Sequence, residues 1–152
     1  MSTRSNIGII NRDGSVEMIY CHWDGYPSNN GKLLLNHWAS EARVRELLAL
    51  GDLSSLGEEI GEKHNFDFQM KLNPEDAGYQ RSEKMCNCYL RDRGEKGKDL
   101  KARKYKTVNE VENAFDDDWA DYLYLWDCKT NTWLYKGGSG NLRILTKRAC
   151  KE

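Results

Sequence analysis

Long apolar stretches are missing from this chain: no aliphatic run exceeds Leu47–Leu50. A membrane-spanning helix needs about 20 apolar residues, so none is expected. Met1–Asn6 is polar and Ile7–Ile10 is too short for the core of an export signal, which points to a cytosolic chain. Proline is scarce, with two residues, and histidine nearly so, with three. Cysteine is present but unpatterned: Cys21, Cys86, Cys88, Cys128 and Cys150 are odd in number and irregularly spaced, so reduced thiols are expected. Cys86 and Cys88 stand one residue too close for the usual zinc knuckle, and no second pair matches them. Asp116-Asp117-Asp118 lacks the spacing of a calcium loop and reads as a solvated helix end. No metal and no cofactor are expected, and no complete nucleophile–base set can be read.

An excess of one charge is lacking too. Lys and Arg number 23 against 24 Asp and Glu, which excludes a uniformly acidic nucleic-acid mimic. No specific binding of double-stranded DNA is expected either. The balance hides a division, because residues 1–76 carry −5 and residues 77–152 carry +4. Arg81–Lys106 alone holds ten basic residues against four acids. A local anion site stays open there.

What is present is a foldable, aromatic-rich chain: 152 residues, 39% hydrophobic, with five Trp and eight Tyr. The length suits one domain spanning 1–152. Ile7–Ile10 and Val16–Tyr20 flank Arg12-Asp13-Gly14 and predict a hairpin. Leu33, Leu34, His37 and Trp38 have helical spacing, and Ser40 caps a second helical stretch through Val44, Leu47 and Leu48 that stops at Gly51. Residues 57–84 read mostly as loop, although a structureless stretch of that length signals a missed element. Met85–Leu90 predicts a strand, Arg91–Lys106 a turn-rich segment, and Val108, Val111, Ala114 and Phe115 a short helix capped by Thr107. Tyr122–Trp126 and Thr132–Tyr135 predict a second hairpin, and Leu142–Thr146 a last strand after the break at Gly137–Gly140. The expected class is α+β: a mostly antiparallel sheet built from N- and C-terminal hairpins, with two or three short helices packed on it.

Three segments could carry chemistry. Cys21-His22-Trp23-Asp24-Gly25-Tyr26-Pro27 ends a strand with an imidazole, a carboxylate and two aromatic rings. His22 can act as acid, base or metal ligand, while Trp23 and Tyr26 can stack on a planar ligand. The architectural alternative makes the rings core plugs and Asp24 a turn cap. Gly25–Lys32 resembles a phosphate loop but fails it: five residues separate the glycines, and Leu33 stands where Ser or Thr should hold magnesium. Lys32 can still offer a cation to an anion. In Arg91-Asp92-Arg93-Gly94-Glu95 two guanidinium groups flank a carboxylate, which suits recognition of phosphate or carboxylate, or else an internal ion-pair clamp.

The chain resembles a family of small uncharacterised phage and prophage proteins. The likeness is carried by Ser2-Thr3-Arg4-Ser5, Tyr20–Pro27, Leu50-Gly51-Asp52-Leu53 with Leu56-Gly57, Arg91–Glu95 and the aromatic stretch Trp119–Tyr135. The resemblance implies a phage-encoded accessory protein acting in the host bacterial cytoplasm, where such proteins often counter host defences. Three functions compete. In the first, Trp23, Asp24, Tyr26, Lys32, Arg91 and Arg93 bind a nucleotide-like or anionic ligand. The second is a protein–protein inhibitor of a host defence effector, using exposed aromatics. The third is a small hydrolase, for which His22, Asp24 and Glu95 are the catalytic candidates; the lack of a readable catalytic set ranks it last.

Overall fold

The two aromatic and β-branched hairpins form the centre of a single sheet. The computed structural model describes residues 2–68, 73, 75–117, 120–138 and 140–151, with the backbone alone at 116 and 117. Strands β1 (Ser5–Ile10) and β2 (Val16–Cys21) form the first hairpin, antiparallel with Ile10 opposite Val16. Strands β6 (Tyr122–Asp127) and β7 (Thr132–Gly137) form the second. β1 joins the hairpins by pairing β6 in parallel, Ser5 beside Tyr122 and Ile10 beside Asp127. The full order is β4-β3-β2-β1-β6-β7-β8, with β3 at Leu53–Ser55, β4 at Asn87–Cys88 and β8 at Arg143–Ile144. A further strand, β5 (Arg103–Tyr105), pairs the start of β2. The fold is α+β and mostly antiparallel, as the pattern predicts.

Both faces of the sheet are covered, and alternate residues of a strand serve alternate layers. Leu123 and Leu125 of β6 pack with Val16, Met18, Val111 and Phe115, beneath helix α4 (Val108–Asp117). Tyr124 and Trp126 point the other way, into a larger core with Ile7, Ile9, Leu34, Trp38, Val44 and Leu47. That layer is made by α1 (Lys32–His37) and α2 (Glu41–Ala49), the latter capped as expected by Ser40 Oγ accepting from Arg43 N. Three of its aromatic members find partners for their polar ends, whereas the buried Trp126 Nε1 has none among the described residues. Trp38 Nε1 donates to Gly57 O at 3.0 Å, Trp133 Nε1 to Trp38 O at 3.2 Å, and Tyr124 OH to Gly25 O at 2.6 Å.

Along the outer edge of β2, β5 covers Val16–Met18 and β3 covers Cys21, leaving Tyr20 between them. Asp52 fills the gap. Its carboxylate accepts from Tyr20 N at 2.8 Å and from Arg103 Nη2 at 2.7 Å, so one buried acid joins three strands.

Three local expectations change. The stretch 57–84 holds a helix, α3 (Ala77–Lys84), with Asp76 accepting from Gly78 N at its start. The turn-rich Arg91–Lys106 contains β5, and Met85–Leu90 shortens to the two-residue β4. Asp118, Trp119 and Ser139 lie outside the described residues. No helix among the described residues is long and apolar enough to cross a membrane.

Candidate functional site

The Cys21–Pro27 segment is built first as architecture. Cys21 is fully buried and Pro27 opens a π-helical turn (Pro27–Gly31) that runs directly into α1. Gly25 N donates to Thr3 O at 2.8 Å, and a Cβ there would stand 2.8 Å from Ser5 Cβ, so only glycine fits. Asn30, also fully buried, donates to Ser5 Oγ at 3.1 Å. These contacts anchor the segment against β1 and leave its intervening side chains outside. Trp23 is 44% exposed and Tyr26 38%. Asp24 takes a left-handed backbone, φ 55°.

A hollow of about 410 Å³ opens beside this turn, lined by Trp23, Asp24, Ser54, Ser55, Phe66, Asp67, Phe68 and Asn87. Four parts of the chain converge on it: the end of β2, strand β3, the 66–68 segment and β4. Pairing fixes two of them, since His22 N and Trp23 N donate to Leu53 O and Ser54 O. Asn87 Nδ2 donates to Phe66 O at 3.1 Å and so fixes the orientation of its amide. Asn87 is buried, and its Oδ1 has no hydrogen-bond partner among the described residues. An unpaired buried acceptor costs about 1–3 kcal/mol, which makes it a conspicuous element of a wall.

Trp23 and Asp24 both line this hollow. Arg93 stands one ring away: its guanidinium lies 5.2 Å from the Phe66 centroid and 5.8 Å from that of Tyr89. Arg91 is turned inward. Its Nη1 donates to Ile60 O at 2.7 Å, Nη2 to Cys86 O at 2.8 Å and Nε to Asp92 Oδ1 at 2.9 Å. Asp92, its side chain fully buried, also accepts from Cys88 N at 2.8 Å and His64 N at 3.1 Å. Arg91 thus forms an internal clamp, whereas the Arg93 side chain is exposed and pairs with Glu95 at 3.7 Å. Lys32 lines a different cleft, and Tyr26 stands outside the hollow, its hydroxyl 3.5 Å from Asp24 Oδ1.

The catalytic candidates are dispersed among other partners. His22 Nδ1 is 2.8 Å from Tyr20 OH, and its ring packs edge-on against Trp23. Burial and the nearby Arg4 charge hold the imidazole below its ordinary pKa. Glu95 faces Arg93 at 3.7 Å. No cluster of three or more His, Cys, Asp or Glu placed to hold a metal ion occurs among the described residues.

The sequence reading misses Phe66, Phe68, Asn87 and the serines. One signal for the rings exists: two of the chain's three phenylalanines, Phe66 and Phe68, sit alternately in an otherwise polar stretch. The two rings nevertheless reach the hollow from a turn and not from a strand, since Phe68 N donates to Asn65 O at 3.2 Å. Neither a family model, nor a curated protein, nor a solved structure matches the chain.

Proposed function

We propose that this chain is a binding module for a nucleotide-like ligand, whose base enters the Trp23–Phe66–Phe68 hollow and whose phosphate meets Arg93 at the rim. The observation that carries the reading is the pairing of three aromatic rings with a lining of acceptors. Asp24, Asp67 and the unpaired Asn87 amide oxygen offer no positive charge to a phosphate inside the hollow. They suit a planar ring bearing N–H donors, as the amino-substituted bases do. Stacking on each ring is worth about 1–3 kcal/mol. In the phage setting that the resemblance implies, such a module would sequester a nucleotide signal of host defence.

The test is a titration of Trp23 fluorescence with adenosine, cytidine, uridine and adenosine monophosphate. The reading expects adenosine and cytidine to quench more strongly than uridine, Trp23→Phe to abolish the change, and the monophosphate to gain over adenosine only while Arg93 is present. Equal, weak quenching by all four would overturn it. The exposure of Trp23 and Tyr26 favours a second reading, contact with a host protein. A stoichiometric partner whose capture survives saturation with nucleoside, and is lost in Tyr26→Ala, would support that reading.

A further inference from the structure

A second cleft lies on the other side of the π-helical turn, and its chemistry is opposite to that of the hollow. Gly31 brings two distant segments together: a Cβ there would be 3.5 Å from both Cys150 Sγ and Leu145 Cδ1, so the turn packs closely on the C-terminal 3₁₀ turn Ala149–Lys151. Lys32 follows Gly31 directly. It consequently faces Lys147 and Lys151 around a cleft of about 490 Å³ completed by Ser28, Leu35, Asn36 and Cys150. Lys32 lies near enough to Cys150 for its charge to counteract the upward push of burial on that thiol.

No acid among the described residues lines this cleft. The ammonium groups of Lys32, Lys147 and Lys151 make no ion pair among the described residues, whereas Arg45, Arg91, Arg103 and Lys136 all do. Three unneutralised cations around one space repel each other, and an anion between them relieves that cost. Lysine supplies point charges instead of the planar fork that matches a carboxylate, so three lysines fit the several oxygens of a phosphate group better. Ser28 and Asn36 add neutral donors, and Leu35 with Cys150 gives an apolar wall for an organic portion. The exposed large apolar residues Trp23, Tyr26 and Ile144 do not border the cleft, which argues for a soluble ligand over a lipid surface.

We propose that the Lys32–Lys147–Lys151 cleft is a binding site for a small soluble phosphorylated molecule carrying a diphosphate or clustered phosphates. The site is independent of the aromatic hollow, and the probe contains no base. Calorimetric titration with inorganic pyrophosphate, beside citrate of similar charge, is the experiment. Saturable one-to-one binding of pyrophosphate is expected, with citrate weaker. Lys32→Ala and Lys147→Ala should each weaken it about tenfold, the factor for losing one charge-assisted hydrogen bond. Lys104→Ala removes an equally exposed charge on β5 and should change nothing. All of these lysines are exposed, so folding should survive. Absence of saturable binding, equal affinity for citrate, or an equal loss in Lys104→Ala each overturns the proposal. Co-sedimentation with phosphatidate-containing vesicles that Lys32→Ala abolishes would overturn the soluble ligand and assign the phosphate to a lipid headgroup.

Discussion

The two arginines of Arg91-Asp92-Arg93 should respond to truncation in opposite ways. Arg91 is 19% exposed along its side chain and Arg93 is 54% exposed. Arg91→Ala removes both bonds to Asp92 and leaves Ile60 O and Cys86 O without their guanidinium donors. Breaking a buried ion pair costs about 3–5 kcal/mol. Cys88 N and His64 N still donate to Asp92, and Arg91 keeps some contact with solvent, so the lower end, about 3 kcal/mol, applies here. For a chain of this length that is a fall in Tm of about 10 °C. Arg93→Ala loses an exposed pair with Glu95 at 3.7 Å and a cation–π contact with Phe66, together about 1 kcal/mol or less. Urea denaturation of each variant, followed by nucleotide titration under conditions where both are folded, gives the two readouts. Arg91→Ala should shift the urea midpoint strongly and leave affinity per folded molecule unchanged; Arg93→Ala should do the reverse. Equal midpoints for the two variants, or loss of affinity confined to Arg91→Ala, would refute the assignment of clamp and rim.

Gly8→Ala should destabilise by about 1–3 kcal/mol, because the new Cβ would stand 2.6 Å from Glu17 O in the central hairpin; an unchanged urea midpoint would contradict the close approach. Burial holds Cys21 at about 12 and Cys86 at about 11, and raises Cys88 and Cys150 as well. Mass spectrometry should find these thiols unalkylated by iodoacetamide at pH 8 in the folded protein and fully modified in urea. The same groups add stability below the unfolded thiol pKa, about 8.5, that is lost as the pH rises through their folded values. His22 acts in the opposite sense: its pKa is depressed in the fold, so its contribution is present above about pH 6.5 and disappears as the pH falls through the folded value. His22→Gln should flatten that acid limb of the midpoint–pH profile.

The parts of the fold legible in the sequence are those whose signals are local. The β-branched run of β1, the alternation in β2, the aromatic and β-branched residues of β6 and β7, the Asp13-Gly14 and Asn131 turns, and the Ser40 cap each act within a few residues. Ile7, Ile9, Val16, Met18, Leu34, Leu47, Leu48, Leu123 and Leu125, all on the apolar side of their period or within an apolar run, are buried. The parallel pairing of β1 with β6 joins residues more than a hundred positions apart and leaves no periodic trace. Strands β3 and β5 have three residues each, too few to show a period. Helix α3 has only Ser82 buried among its residues, so its amphipathic stripe is absent. The candidate site divides along the same line. Trp23 and Asp24 belong to a dense motif, whereas Ser54, Phe66 and Asn87 become neighbours only when β2, β3 and β4 assemble.

Asp24 holds a backbone conformation that its own side chain does little to support. Its φ of 55° lies in the left-handed region, shared among the described non-glycine residues only by Asn131 at 54°. The segment is held by the Asp24 carbonyl, which accepts from Asn29 Nδ2 at 3.2 Å and Asn30 N at 3.3 Å, and a glycine would keep both bonds. The carboxylate accepts from the Tyr26 hydroxyl at the long distance of 3.5 Å. Relief of the Cβ clash should therefore outweigh the extra chain entropy of glycine, and Asp24→Gly should stabilise by about 0.5 kcal/mol. Asn131→Gly, in the β6–β7 turn, should give a gain of similar size. The two variants part at the hollow: Asp24→Gly removes an acceptor from its lining and should weaken binding of adenosine, while Asn131→Gly should leave it unchanged. A carboxylate kept where glycine would be more stable is the signature of a stability–function trade-off. If Asp24→Gly instead lowers the urea midpoint while adenosine binding persists, Asp24 is a structural cap and the hollow does not use it.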